Sequence, residues 1–580
     1  MKNKINIITL FILSLFSIII LNDYFCFIFK INYNFYFYCL SIVLVCLSLF
    51  LLRKKIEIIK PKLNRVDIIF LIIIVLIFLA RIAIPDSSFD TLNYHIYLQE
   101  RPFSNNVSEN FFPARWINTF SFPLSDRVHY LFRLVFGYRY GIIGNLIFII
   151  IVYYQIKEIL LHYIKNDNYI SLISIAIIIC EQLLYNMSTY YVDILSIPLF
   201  LEILIILLNH KTVNNYINYI VLFLSGILVS LKVSNAILII PFGIIYIKKH
   251  WREFDYKTFL IGIPVFFFPL LVYLLNNYIQ TGNPVFPFYN SIFKSKYLSN
   301  ENWIENYYGP KNFIERIFWP VYLFENPRRA FDTDVYYNRI GFGYIISLFI
   351  VLYNLIRYFI NKKNKISKIC YLSILFIVLC LLWSNFMMGY IRYALVLEVL
   401  SGIIIAVFIY DNFKSKNILL FVACLFSIYG LFYTSSLTLG DMLNGTDKIS
   451  WRKSYIIDKE NHKDNLDNIN NYSKDYNEYV KNIDCFGIVD YNAGYAALLS
   501  KSSKIINLNE GYSNEYGKEK FKETINKCKN IYTISTSATI DRTLQYLSST
   551  GYKKIGNNIE FKTDFINYNQ NIVLFEIEKE

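Results

Sequence analysis

Long apolar runs set the tightest limit on what this chain can become. They recur near residues 5–22, 35–52, 66–84, 141–161, 168–186, 192–208, 215–231, 234–247, 257–279, 341–360, 367–384, 390–410 and 417–436. About 20 apolar residues wound as a helix cross the hydrocarbon core of a bilayer. A soluble chain of 580 residues, 55% of them hydrophobic, has no interior large enough to hide so many runs. The expected fold is therefore membrane all-α, with about thirteen transmembrane helices.

Charge gives the orientation. The formal net charge is +14, but Lys and Arg collect in short loops between apolar runs, where topology rather than nucleic acid demands them. Arg53, Lys54, Lys55, Lys60, Lys62 and Arg65 form one such cluster, Lys248, Lys249, Arg252 and Lys257 a second, and Arg357, Lys362, Lys363, Lys365 and Lys368 a third. All three fall on one side if the helices alternate, and positive charge marks that side as cytoplasmic. The 85–140 segment, the 186–192 turn, the 280–340 segment and the tail after 436 then lie outside. The first run has a basic start but no small-x-small cleavage site after it, so it is expected to stay as the first helix. These expectations make the chain a multi-pass membrane protein with its polar tail outside, with no nucleic acid among its partners and membrane lipid around it.

Of nine cysteines, seven lie in or beside apolar runs and no Cys/His cluster with zinc spacing exists. Cys485 and Cys528 are the pair in the polar tail, where a disulfide is compatible with the spacing but not deducible from it. The tail, residues 441–580, has short β-like stretches at 483–490, 504–508, 530–535 and 572–577 and a helical stretch at 517–528, predicting a small extracytoplasmic α/β domain beside a transmembrane domain at 1–440. In the first long outer loop, Phe111, Phe112, Trp116, Phe120, Phe122, Tyr130, Leu131, Phe132 and Leu134 alternate with Arg115, Arg127, Arg133 and Arg139. That pattern suits interfacial helices with rings in the headgroup region and cations toward phosphates. In the second, Trp303, Tyr307, Tyr308 and Trp319 with Arg328 and Arg329 suit either sugar stacking or an interfacial seat.

Four short stretches carry ionisable groups at helix ends facing the outer side. Asp86 to His95 follows the third run; Asp193 opens the sixth; Lys232 ends the seventh; Arg392 lies near the outer end of the twelfth. Each has an ordinary explanation, since Asp caps helix N-termini and Lys and Arg snorkel to interfaces. Their joint occurrence is less ordinary. Short outer loops should lack Lys and Arg, so Lys232 and Arg392 call for an anionic ligand, and a lipid-linked phosphate supplies one.

These residues also resemble a family. Asp90-Thr91-Leu92-Asn93-Tyr94-His95 in the first outer loop, Gly226 through Lys232 to Ser234-Asn235, Thr281 through Asn283-Pro284 and Phe286-Pro287 to Asn290, and Arg392-Tyr393 are similar to the GT-C superfamily of integral-membrane glycosyltransferases, which includes the protein O-mannosyltransferases and the aminoarabinose transferase of lipid A. The resemblance runs over about residues 66–410. It implies that Asp90 is the general base of an inverting transfer, with Asp86 the fallback, and that Asp193 is a second acid, which in some members holds a metal or the acceptor. Lys232, Arg392 and His95 would face the carrier phosphate, and Asn93, Tyr94 and Tyr393 would contact substrate. Many relatives carry Asp-Glu in the first loop. Here Ser88-Phe89 precedes Asp90 and Thr91 follows it, which leaves metal binding by this loop unsupported; a divalent metal is neither required nor excluded.

The implied reaction moves a sugar from a polyprenyl-phosphate donor to a hydroxyl on a glycan, lipid or protein. It needs cations at the leaving phosphate and a carboxylate at the acceptor, but no nucleotide loop, and none is present. Two rival readings are a polysaccharide polymerase, whose kind usually lacks a folded tail, and a transporter or flippase, whose charges usually sit at the bilayer midplane.

Overall fold

A computed structural model describes residues 3–53, 56–59, 62–82, 85–101, 103, 120–209, 215–250, 256–298, 300–302, 308–325, 329–330, 338–361, 366–412, 417, 421, 425, 477–489, 492–508, 515–567 and 569–580. Its helices in chain order are α1 (Ile7–Phe29), α2 (Phe35–Leu52), α3 (Arg65–Ile82), α4 (Ile96–Glu100), α5 (Leu124–Tyr140), α6 (Ile143–Leu160), α7 (Asp167–Ile178), α8 (Glu181–Met187), α9 (Ser196–Asn209), α10 (Asn215–Leu231), α11 (Ala236–His250), α12 (Tyr256–Thr281), α13 (Asn290–Phe293), α14 (Phe313–Tyr322), α15 (Arg339–Ile360), α16 (Lys368–Phe386) and α17 (Leu395–Asn412). Among the described residues, six helices are long and apolar enough to cross a membrane, and four more are apolar but shorter. The chain is a multi-pass membrane protein with a mostly helical body.

Twelve of the thirteen expected runs coincide with helices; the thirteenth, 417–436, lies outside the described residues apart from three isolated positions. One run departs from expectation. The 168–186 stretch breaks after Ile178 into α7 and α8, so α7 has 12 residues, about 18 Å, too short to cross alone. Asn145 of α6 holds the segment that follows, donating through Nδ2 to the carbonyls of Asn186 and Thr189 at 3.0 and 2.7 Å.

The abundance of asparagine has a local use. Asn6, Asn34, Asn166, Asn312 and Asn338 accept backbone N–H bonds at the starts of α1, α2, α7, α14 and α15, satisfying donors that a helix leaves open. α12 ends where the sequence breaks it, at Gly282 (φ 78°) and Asn283-Pro284. Helices cross closely at small residues. A Cβ on Gly226 of α10 would lie 2.2 Å from the Phe266 carbonyl of α12, so this glycine serves the crossing of the two helices.

The arginines of the first outer loop correct an expectation. Arg127 is fully buried and donates to Asp23 of α1 at 2.9 Å; Arg133 pairs with Glu100; Arg139 donates to the carbonyls of Asp564 and Ile566. They turn inward because buried acceptors are available there, and a guanidinium with partners gains more than one in water. Phe111, Phe112, Arg115, Trp116, Trp303, Tyr307 and Arg328 lie outside the described residues. Trp319 neither stacks in the open nor seats an interface: it is buried, with Nε1 donating to the Gly389 carbonyl at 2.8 Å.

The tail builds a five-stranded sheet from β3 (Cys485–Ile488), β4 (Lys504–Asn507), β5 (Ile531–Thr536), β6 (Tyr552–Phe561) and β7 (Ile572–Lys579), in the order β4-β3-β5-β7-β6; a separate parallel pair, β1 (Asn3–Asn6) and β2 (Ile56–Ile59), lies at the other end of the chain. β3 pairs in parallel with β4 and β5, and β7 runs antiparallel to both neighbours. Helices α18 (Ala493–Leu499), α19 (Glu515–Asn526) and α20 (Ile540–Ser549) make the crossovers. A disulfide joins Cys485 to Cys528. The expected junction at 440/441 lies outside the described residues.

Candidate active site

The segment after α3 is shaped by Asp86. Its Oδ1 accepts the Ser88 N–H at 2.9 Å, while Oδ2 accepts the Thr91 hydroxyl and the Tyr190 N–H, each at 2.7 Å. The Asp86 carbonyl takes the Tyr138 hydroxyl at 2.6 Å. Asp86 thus ties the first outer loop to the 186–192 turn and to α5. Residues Thr91–His95 then wind as a single π-helical turn before α4, a local widening that is common at functional sites. The turn aims Asp90 inward.

Asp90 meets Arg392 there. Arg392 Nη2 donates to Asp90 Oδ2 at 2.5 Å, and Arg392 Nε lies 3.1 Å from Asp193 Oδ2. Lys232 Nζ donates to the other oxygen of Asp193 at 2.9 Å. The four groups form one chain of alternating charge, Asp90–Arg392–Asp193–Lys232. Aromatic rings wall it: the Arg392 guanidinium sits 4.3 Å from the centre of Tyr191, and Lys232 Nζ lies 3.4 Å from that of Tyr393, both within cation–π range.

Local backbone explains the convergence. Asp193 opens a 3-10 turn (Asp193–Leu195) that leads into α9; Arg392 lies in a second (Ile391–Ala394) that leads into α17. Lys232 is the extended residue between the end of α10 and a third such turn, Val233–Asn235. The two 3-10 turns that carry Asp193 and Arg392, and the extended residue Lys232 ahead of the third, thus bring charged side chains from separate helix ends to one place. The middle of the chain is the most buried: 7% of the Arg392 side chain and 6% of Asp193 are accessible, against 14% of Asp90 at one end and 26% of Lys232 at the other, so Lys232 is the more open end.

Electrostatics keep Asp90 ionised. Burial alone would raise its carboxyl, but the charges of Arg392 and His95, with hydrogen bonds from Arg392 and Tyr94, hold it below the ordinary value of 3.8. Burial, and then the Asp90 charge, push the Tyr94 phenol well above 10, so it stays a donor. His95 does not reach the chain of charges. Its Nδ1 meets Asp126 Oδ1 at 2.9 Å, and burial pushes Asp126 up against the pull of His95. Asn93 is buried and donates to the Phe89 carbonyl of its own turn at 2.8 Å.

Of the residues singled out from sequence, Asp90, Asp193, Lys232, Arg392, Tyr94 and Tyr393 come together, His95 pairs instead with Asp126, Asp86 is taken up by Thr91 and two backbone N–H groups, and Asn93 donates to a backbone carbonyl. Tyr191 and Asp126 were not anticipated. Tyr191 stood two residues before Asp193 and Asp126 one before Arg127, but nothing in either spacing marks a partner hundreds of residues or a loop away. Among the described residues, one group of His, Cys, Asp and Glu has metal-ligand spacing, Asp484, Cys485 and Cys528; its sulfurs are joined in the disulfide, which removes the thiolates a metal would need. Between Asp90 and Asp193 the space is taken by the Arg392 guanidinium.

Residues 129–397 match the model of a family described as a domain of unknown function, DUF8201. No curated protein matches the sequence. Among solved structures, the chain is similar to a crystal structure of ArnT from Cupriavidus metallidurans bound to undecaprenyl phosphate, at 10% identity and a TM-score of 0.47, covering 87% of this chain and 97% of that one. The apo crystal structure of ArnT gives 9% identity and a TM-score of 0.39 over the same shares.

Proposed function

We propose that the chain is a membrane glycosyltransferase that passes a sugar from a polyprenyl-phosphate donor to an acceptor hydroxyl, with inversion, on the outer face of the bacterial cytoplasmic membrane. One observation carries the reading: two carboxylates and two cations, brought from four separate outer helix ends, meet within hydrogen-bonding distance. A buried ion cluster adds little to stability over a well-packed apolar one, so its retention speaks for a ligand.

The chemistry follows from the order of the groups. The donor phosphate enters at Lys232, the exposed end, and competes with Asp90 for the Arg392 guanidinium. Asp90, freed from its cation, gains basicity at the moment an acceptor hydroxyl must lose its proton. That oxygen attacks the anomeric carbon; the bond from carbon to phosphate oxygen breaks; the proton passes to Asp90. Polyprenyl phosphate leaves with the electron pair, its charge met by Lys232 and Arg392. Tyr94 holds Asp90 in place, and the rings of Tyr191 and Tyr393 exclude water and present faces to a sugar.

The remaining parts of the reading have their own support. Residues 1–440 are taken as the transferase body and 441–580 as an outer domain; the Cys485–Cys528 disulfide suits an oxidising compartment. The acceptor is a glycan, lipid or protein hydroxyl. The deciding experiment is transfer from a synthetic polyprenyl-phosphate sugar in proteoliposomes, comparing wild type with Asp90→Asn. Transfer by the wild type and its loss in the variant support the proposal, whereas equal activity of the two, or labelling of the tail only from the cytoplasmic side, overturns it.

A further inference from the structure

A second site lies at the opposite ends of the same helices. Between the inner ends of α1, α6, α7, α9 and α10 is a cavity of about 800 Å³, within the range of a ligand pocket and away from the charged outer cluster. Ile206, Ile217 and Ile220 make one wall of it, and Glu202 of α9 lines it deep in the bundle, with the residue 1% exposed.

Glu202 has neutral company only. Oε1 accepts the Thr9 hydroxyl and Oε2 accepts Gln155 Nε2 at 2.7 Å; among the described residues no Lys, Arg or His lies within ion-pair distance. Each carboxylate oxygen keeps a second lone pair. Burying an ionised carboxylate without a cation costs several kcal/mol, so a charge is missing or a proton is present. The rim tilts the balance further. Glu158 and Asp167 add negative charge, while Lys157 is already neutralised by Asp67 at 2.6 Å, leaving Lys62 as the cation on the exposed side.

We propose that this cavity binds an inner-leaflet aminophospholipid, its primary ammonium on Glu202 and Glu158, its phosphate toward Lys62, and an acyl chain along Ile206, Ile217 and Ile220. An ammonium brings three donors to the open lone pairs of Glu202 and supplies the absent charge. A choline headgroup has no N–H to give. An anionic headgroup meets three carboxylates.

The test uses the full chain in detergent, titrated with short-chain phosphatidylethanolamine while the thermal midpoint is followed. Saturable stabilisation is expected in the wild type, with matched phosphatidylcholine and phosphatidylglycerol at least tenfold weaker. Glu202→Gln should weaken phosphatidylethanolamine at least tenfold, and Ile206→Trp, which fills the cavity without touching the acid, should do the same. Should Glu202→Gln fail to fold, Ile206→Trp decides. Binding by either variant within threefold of wild type, or phosphatidylglycerol binding as well as phosphatidylethanolamine, overturns the proposal; the first of these is also what a permanently protonated Glu202 would give.

Discussion

Two buried acids lie on one stretch of chain, Asp193 in the turn before α9 and Glu202 midway along that helix, and the two are treated in opposite ways. Asp193 lies between Arg392 and Lys232, while Glu202, about 14 Å further along, has a hydroxyl and an amide. The outer cluster is closed and neutral, so a ligand must compete with an existing ion pair to enter. The inner cavity is open, and among the described residues Glu202 has no cation beside it. Burial alone therefore says little about what a membrane carboxylate does; the company it keeps says more.

The strongest way to break the contrast is at the outer end. Asp90→Asn should lower transfer by about a thousandfold, as expected for a lost general base, with the unfolding midpoint little changed. Arg392→Met leaves Asp90 and Asp193 facing each other without their shared cation. It should cost about 3–5 kcal/mol in stability as well as transfer, read by thermal unfolding.

A third prediction concerns the support beneath the outer site. His129 Nε2 meets Asn145 Oδ1 at 2.8 Å, and Asn145 in turn fixes the carbonyls of Asn186 and Thr189 before Asp193. Burial pushes His129 down from 6.5 to about 4. The unfolded chain then binds a proton that the folded one refuses, so stability falls as the pH drops from about 6.5 to about 4. Over that window the loss is about 3 kcal/mol, and His129→Gln should flatten it in unfolding measured across the pH range.

Smaller effects sharpen the comparison. A Cβ on Gly494 would lie 2.9 Å from the Leu92 carbonyl, so Gly494→Ala must displace the π-helical turn and should cost about 2 kcal/mol, with transfer falling alongside. At the inner end, Glu202→Gln in lipid-free detergent should change stability by about 1 kcal/mol or less, because the amide oxygen still accepts from Gln155 while its NH2 donates to the Thr9 hydroxyl oxygen. A loss there as large as that of Arg392→Met would erase the distinction between the two ends.

Most of the helical body was legible because a run of apolar residues must be hidden from water whatever its neighbours. The meeting of Lys232 and Arg392 was legible too, as two cations where the positive-inside bias disfavours them. Asp86 was not: its oxygens are committed to Tyr190 N–H and Thr91, and nothing local distinguishes it from Asp90 four residues on. Arg127, Arg133 and Arg139 were placed toward phosphates because their buried partners, Asp23, Glu100 and two carbonyls of the tail, are remote in sequence or concealed by the fold. Glu202 offered a readable signal that was passed over, a lone acid inside an apolar run.

The grip of the tail on the first loop carries a consequence for biogenesis. Arg101, close behind Asp90, donates to the Ser500 and Ser503 carbonyls at 2.6 and 2.8 Å, the latter 402 positions downstream, and Gly494 rests against the turn itself. A nascent chain thus displays its acidic loop long before the ribosome has made the piece that clamps it. The surroundings of Asp90 are therefore completed only once the tail has been synthesised and has folded against that loop.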